Sequence, residues 1–531
     1  MSSFSKLSRF PRLPRLCRLS RLMGPAIVVL SMPACGLWYG EGAPPPVRRP
    51  APPGEATAAG PTAQPVDARA ADPLGARPAL PPPPPFAPPV PVAYKRPNGM
   101  TVWLLERHTL PIVSIEIVVP AGAASDPEGK GGLALATANM LDEGAGTRGA
   151  LDIARDIDRL GATLSTGAVG DYAFASLTTL KKNLQPAAAI LGDVVGKPTM
   201  APAEWKRRHD LWMNELRARA SEPDAVANVV SLRQVFGDSP YGHPNNGTLK
   251  SAAKVSLEDV KSFYATAWRP ETATVVVVGD VTKAELDPLL DQVLASWKLP
   301  TRVPPASAAA APPVATGKKA PIPSRRVVIV DRPDAPQSVL AVVRPGVAAS
   351  DPDAAPVTRV NTALGGSFTS RLNQDLREEH GWSYGARSRF SFSKAQGIFA
   401  AQAAVHTEHT GDALKAMLAD IESLTREGLT DEEVEKTRLI ARGELVESFE
   451  GVGAAARRLA RNAAIGLPPD HENKASAALD AATKADLKQL AARHVDAKDA
   501  IIVIVGPRAK IEPQLKAIGI TGLTASGPEG D

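Results

Sequence analysis

The sequence predicts an α+β protein of two homologous domains, each a mostly antiparallel sheet with helices packed on it. The first observation is internal repetition. Pro120-Ala-Gly-Ala-Ala-Ser-Asp-Pro127 returns as Pro345-Gly-Val-Ala-Ala-Ser-Asp-Pro352, 225 positions on, with six identities in eight. Thr272-Ala-Thr-Val-Val-Val-Val-Gly279 returns as Asp499-Ala-Ile-Ile-Val-Ile-Val-Gly506, and Ser256-Leu-Glu-Asp259 returns as Thr483-Lys-Ala-Asp486, both 227 positions on. Ordered matches at nearly one offset indicate duplication. The second observation is mixed periodicity. Val113–Val119 and Val327–Val330 are β-branched runs bounded by turn residues, while Leu151, Ile153, Ala154, Ile157 and Leu160 keep helical spacing until Gly161. The third is punctuation: stretches rich in Pro and Ala precede the first copy and separate the two.

Taken in order, residues 1–35 read as an address. Lys6, Arg9, Arg12, Arg15, Arg18 and Arg21 precede a short apolar run, Met23 to Met32, and then Pro33-Ala34-Cys35. A basic region, a short apolar region and a small residue describe a secretory signal, and the run is far below the ~20 residues of a spanning helix. Cys35 resembles the lipidated cysteine of a bacterial lipoprotein. With Gly36 rather than aspartate after it, that resemblance implies a periplasmic, outer-membrane lipoprotein held by its lipid alone. A plain cleaved signal with an incidental cysteine is the other reading. Residues 36–90 are a Pro/Ala-rich, disordered tether, since proline at that density forms neither helix nor sheet interior. Residues 91–298 are the first domain, 299–323 an interdomain linker that lets the halves open, 324–520 the second domain and 521–531 a tail. Ser256–Asp259 and Thr483–Asp486 read as capping boxes opening equivalent helices.

Composition removes several function classes. The chain has 531 residues, 44% hydrophobic and 22% charged, enough for sizeable cores. The net charge of +5 comes from the leader, whose first 34 residues hold six cations and no acid, so the remainder sums to −1. A near-neutral body has no surplus of cations for nucleic acid. The two cysteines, Cys17 and Cys35, both lie in the leader, so the body has no internal disulfide and no thiol chemistry.

Over roughly residues 91–520 the sequence resembles the insulinase/pitrilysin zinc peptidases, including mitochondrial processing peptidase-like and bacterial two-subunit forms. The residues that carry this are Asn98-Gly-Met-Thr-Val-Trp103, Ala124-Ser-Asp-Pro127, Gly131-Gly-Leu-Ala134, Gly144-Ala-Gly-Thr147, Tyr241-Gly-His-Pro244 with Gly247-Thr248, and Val278-Gly-Asp280. In the second copy they are Leu364-Gly-Gly-Ser-Phe-Thr-Ser-Arg-Leu372, Leu376-Arg-Glu-Glu-His-Gly381 and Tyr384-Gly385. The resemblance implies domains arranged as a clamshell around a peptide chamber. It also implies an H-x-x-E-H helix after Gly-Leu-Ala, in which two histidines one turn apart grip zinc and the glutamate takes a proton from bound water. Here those positions are Leu135, Ala138 and Asn139. Leucine and alanine have no ligand atom, and alanine cannot be a base. The helix over 132–142 is therefore expected in the core. The family's further glutamate falls at Glu215, which alone reads as a solvated helix residue. His406-Thr-Glu-His409 is out of order for the motif and reads as a polar turn into a helix. His243 lies in a loop the family uses structurally, and His108, His209, His380, His471 and His494 are scattered.

The family's second set of site residues, an arginine and a tyrosine seven positions apart, matches Arg377 and Tyr384. Arg377 is expected near the end of a helix stopped by Gly381, and Tyr384 on the next strand, its side chain turned back beside the arginine. The pair could hydrogen-bond a peptide carbonyl and its oxyanion. The alternative is that Arg377 pairs with Asp375, Glu378 or Glu379 and Tyr384 packs in its strand. Together the resemblance implies a subunit with no catalytic residue or cofactor of its own. It would complete the site of a zinc-bearing paralogue that acts on unfolded peptides. A non-catalytic scaffold or peptide-binding protein of the same fold is the rival.

Overall fold

The computed structural model describes residues 86–298 and 326–530. The leader with Cys35, the tether up to residue 85 and the linker 299–323 lie outside the described residues. The β-branched runs form the centres of two six-stranded sheets. In chain order the first repeat contributes β1 (Val92–Lys95), β2 (Thr101–Glu106), β3 (Ile112–Val119), a small ribbon of β4 (Gly144–Ala145) and β5 (Arg148–Gly149), β6 (Thr163–Ala168), β7 (Ala173–Leu180) and β8 (Thr274–Gly279). The second contributes β9 (Arg326–Asp331), β10 (Gln337–Pro345), β11 (Ser383–Ser391), β12 (Ile398–His406), β13 (Ile501–Gly506) and β14 (Leu523–Ala525). The sheet orders are β1-β2-β8-β3-β7-β6 and β11-β12-β10-β13-β9-β14. Reversed, the second order matches the first at five strands, with β9, β13, β10, β12 and β11 in the places of β2, β8, β3, β7 and β6; the sixth differs, β1 being antiparallel to β2 and β14 parallel to β9. The duplication is thus a duplication of topology. Both sheets are mainly antiparallel, with parallel pairs only at β2/β8, β13/β9 and β14/β9.

Local signals behave as their chemistry requires. Ser256 Oγ accepts the Asp259 N–H at 3.2 Å and Thr483 Oγ1 accepts that of Asp486 at 3.2 Å, so both capping boxes close. The helix Ala150–Arg159 buries Ile153 and Ile157 and stops before Gly161, whose φ is +55°. Leu151, however, is 80% exposed, because it projects from the opposite face of that helix.

Each sheet has two covered faces, and their covers come from different repeats. Ile115, Ile117, Val275 and Val277 face helices of their own repeat. On the opposite face, Trp103, Val118, Val276 and Val278 meet Leu445, Phe449, Val452 and Leu459, which belong to the second repeat. Its helix Val452–Ala464 lies on the first sheet, with Ala455 and Ala456 fully buried. Reciprocally, the helix Pro223–Phe236 of the first repeat sets Val226, Ala227 and Val230 against Val328, Val339, Ala341 and Val503 of the second sheet. Polar bonds follow the exchange. Gln402 Nε2 donates to Asp224 Oδ1 at 2.7 Å, Arg107 Nη1 to the Phe449 carbonyl at 2.6 Å, and Lys394 N to Asp171 Oδ2 at 2.9 Å.

This interlock opposes an opening of the halves. Parting the repeats would expose Leu445, Phe449, Val452 and Leu459, at about 1.5–3 kcal/mol each, before any loss from the reciprocal helix. The body is also longer at both ends than its expected limits. Phe86 packs against Phe449 at 6.4 Å and the Pro88 carbonyl accepts from Asn473 Nδ2 at 2.7 Å, so residues 86–90 lie on the body and not in the tether. Residues 523–525, placed in a tail by sequence, add β14 to the second sheet, and Glu529 then accepts the Leu249 N–H at 2.5 Å in the first repeat. Among the described residues no helix is long and apolar enough to cross a membrane.

Candidate functional site

In the first repeat, the helix that would carry the metal motif spans Leu133–Ala138, shorter than the expected 132–142, with Asn139 at its C-terminus. Its start is built from the neighbouring motif residues. Gly132 has φ +97°, and a Cβ there would stand 2.5 Å from the Trp212 ring. Only glycine fits that conformation and that gap. Trp212 Nε1 donates to the Asn246 carbonyl at 2.9 Å, locking the helix Pro202–Arg219 to the loop that carries Tyr241–Thr248. Asp126 accepts the N–H groups of Gly132 (2.6 Å) and Ala134 (2.7 Å), capping the helix, while burial pushes its carboxyl up to about 7. His243 packs under Gly131 with Nδ1 3.1 Å from the Pro244 carbonyl, and burial pushes its imidazole down. The glycine turn, the Asp126 cap and the Trp212 bond together fix the helix that carries Leu135, Ala138 and Asn139.

The altered residues do not fit zinc. Leu135 packs partly buried on the first core, Ala138 is fully buried, and Asn139 is half-buried. Glu215 is exposed on the Pro202–Arg219 helix. One amide and one solvated carboxylate are not a tetrahedral zinc donor set. Among the described residues no group of three or more His, Cys, Asp or Glu is placed to hold a metal.

An acidic pair that sequence reading passed over follows this helix. Burial and the adjacent Glu143 push the Asp142 carboxyl up to about 6, and Thr166 Oγ1 of edge strand β6 donates to it at 3.4 Å. Glu143 is gripped by Arg207 and by Arg208, the latter at 3.2 Å. Two acids directly after an apolar helix were the available signal.

In the second repeat the chain turns through Arg371–Asn373 and continues in wider π-type turns over Gln374–Glu379. Leu372 and Leu376 are fully buried beneath it. Gly381, at φ +65°, ends the helix as expected. Trp382 fastens the turn: its N–H reaches the Leu376 carbonyl at 2.9 Å and its carbonyl accepts from His406 N at 3.0 Å. Its ring stacks between His380, 4.0 Å away, and His409, 5.5 Å away. These histidines therefore serve packing, and His409 closes the short turn Thr407–His409 that leads into a helix.

Arg377 stands exposed at the end of these turns. Its Nε is 3.3 Å from Glu378 Oε1 and its guanidinium lies over the Phe368 ring, 4.8 Å from the centroid. His380 takes Asp375, at 3.1 Å. Tyr384 lies on β11 and is 84% exposed, so it does not pack in the strand. The cause is a bulge. Ser383 pairs with Val405 and Ala386 with Ala403, three residues against two, so both small side chains point inward and Tyr384 is thrown out. Among the described residues no hydrogen bond or ring contact joins Tyr384 to Arg377. Phe368, 64% exposed, is a neighbour that sequence reading did not single out. Only the fold brings its loop to the arginine.

Comparison with known proteins agrees with this anatomy. Residues 101–248 match the insulinase (peptidase family M16) model, and residues 254–440 match the peptidase M16 inactive domain. An uncharacterized zinc protease of Mycobacterium leprae is 26% identical over 370 residues, covering 69% of this chain and 80% of the relative. One from Mycobacterium tuberculosis is 27% identical over 368 residues, covering 69% and 82%. The crystal structure of a peptidase M16 inactive domain from Pseudomonas fluorescens superposes with TM-score 0.70 at 25% identity, covering 78% of this chain and 98% of that one. A protease structure from Helicobacter pylori gives TM-score 0.71 at 17% identity, covering 79% and 100%, and shares the fold. With its two repeated sheets, its retained glycine frame and both matching halves, the chain belongs to the insulinase family, peptidase family M16, as a peptidase-like member without the family's zinc motif.

Proposed function

We propose that this chain is the zinc-free subunit of a two-subunit periplasmic metallopeptidase, held to the outer membrane through Cys35, and that it supplies Arg377 and Tyr384 to peptides cut by a zinc-bearing paralogue. The observation that carries the reading is an asymmetry. The three metal positions hold Leu135, Ala138 and Asn139, while Tyr384 is 84% exposed on a bulge and Arg377 is presented at a helix end. A side chain as large as tyrosine gains nothing for folding when left in solvent. A phenol and a guanidinium are suited to hold a peptide carbonyl and to stabilise the charge it gains when water attacks. The metal and the attacking water would belong to the partner, and this chain contributes binding and oxyanion stabilisation.

The test mixes this chain with a zinc-bearing paralogue and follows cleavage of a quenched unfolded peptide. The chain alone should be inert and the mixture faster than the paralogue alone. A mixture no faster than the paralogue defeats the proposal and leaves a scaffold of the same fold. Incorporation of labelled palmitate, lost on Cys35→Ser, tests the anchor.

A further inference from the structure

Arg377 sits among carboxylates that could silence it. Asp375, Glu378 and Glu379 share its turns; burial, with Glu379 beside it, pushes the Asp375 carboxyl up. An arginine that folds onto neighbouring acids spends its in-plane N–H donors on them. The structure offers a competing seat. The Phe368 ring lies 4.8 Å from the guanidinium carbon of Arg377. Stacking on a ring face uses the π surface of the guanidinium and leaves its in-plane donors to other acceptors; here Nε faces Glu378 Oε1 at 3.3 Å, and the Nη edge is left for a further acceptor.

The loop that carries the ring is fastened on every side. Asn373, 4% exposed, donates from Nδ2 to the Phe368 carbonyl at 2.7 Å and accepts the Ala386 N–H at 3.3 Å. One buried amide thus ties the Phe368 loop to the strand that bears Tyr384. Lys436 Nζ holds the Thr369 carbonyl at 2.7 Å, and Ser367 Oγ donates to the Thr362 carbonyl at 3.1 Å. The ring itself stays 64% exposed, so these bonds do not serve to bury it.

We infer that Phe368 is a positioning residue: its ring fixes the Arg377 guanidinium, whose Nε faces Glu378, so that the Nη edge stays open to a peptide carbonyl. This rests on the proposed peptide-contacting role of Arg377. The probe is fluorescein-labelled, reduced and carboxyamidomethylated lysozyme, a permanently unfolded chain, and binding to the full-length protein is read by anisotropy. Phe368→Ala and Phe368→Leu should weaken binding about two- to fivefold, the range of an exposed cation–π contact, while Phe368→Trp restores it. Thermal unfolding should be unchanged for all three. Phe368→Ala should add nothing in an Arg377→Ala background. If Phe368→Leu binds as the wild type does, or if the loss from Phe368→Ala is as large with Arg377 absent, the positioning role is overturned while the peptide-binding reading stands. If Arg377→Ala itself leaves binding unchanged, both fall.

Discussion

Glu116 lies in the middle of β3 on the face covered by the exchanged helix Val452–Ala464, and it is 2% exposed. Ser176 Oγ of β7 donates to its Oε1 at 2.6 Å, Val276 is its register partner on β8, and Arg457 of the covering helix is the charge that favours its ionisation. Burial outweighs both aids and pushes the carboxyl from 4.5 up to about 7. A carboxyl raised on folding has its full stabilising share below the unfolded value, and loses it as pH rises through the folded value. The window therefore runs from about pH 4.5 to just above 7. A difference of roughly two and a half units corresponds to about 3 kcal/mol. Glu116→Gln keeps the shape and the Ser176 hydrogen bond without an ionisation to penalise. The variant should match the wild type at pH 4.5 and exceed it by up to about 3 kcal/mol at pH 8, measured by urea unfolding of both proteins across that range. Because Asp126 and Asp420 are raised in the same direction, the difference between the two proteins is what isolates Glu116. A variant no more stable at pH 8 than the wild type would refute the placement of an ionisable, buried carboxyl under this helix.

Other outcomes follow from the same anatomy. Arg377→Ala and Tyr384→Phe should each lower cleavage by the mixed subunits, by up to about a hundredfold if the group lost stabilises the oxyanion, with no change in thermal unfolding; an unchanged rate removes the residue from the site. Gly132→Ala forces a Cβ to 2.5 Å from the Trp212 ring at φ +97°, so it should destabilise the protein by more than about 1–3 kcal/mol, seen as a lower denaturant midpoint and altered tryptophan fluorescence. Leu459→Ala empties a site that is 1% exposed between the exchanged helix and the first sheet, and should cost about 2–5 kcal/mol in unfolding free energy. Amide exchange over Val452–Ala464 should quicken in that variant, and a helix that merely rested on the surface would show neither effect.

Much of the fold is written locally. The repeated Pro-to-Pro octapeptide, the β-branched strands and the capping boxes each state their structure within a few residues, because backbone sterics and orphan N–H groups act over that range. The absence of zinc ligands at Leu135, Ala138 and Asn139 is likewise a property of side-chain chemistry and needs no coordinates. The candidate site was legible only in outline. Arg377 and Tyr384 were named, and the Gly381 stop with them, but not the bulge that exposes Tyr384, nor Phe368 beneath Arg377, nor Asp142 behind the altered helix.

What the sequence alone determined is thus that the body is duplicated, where several strands and capped helices begin, and that Leu135 and Ala138 carry no ligand atom. The tertiary structure decided which surfaces those segments cover. An apolar face on Val452–Ala464 or Pro223–Phe236 declares that it must be buried, and hydrophobic attraction carries no label for its partner. Only the assembled chain shows that each helix crosses to the other sheet, that Leu523–Ala525 closes an edge, and that the repeats are locked together as one body.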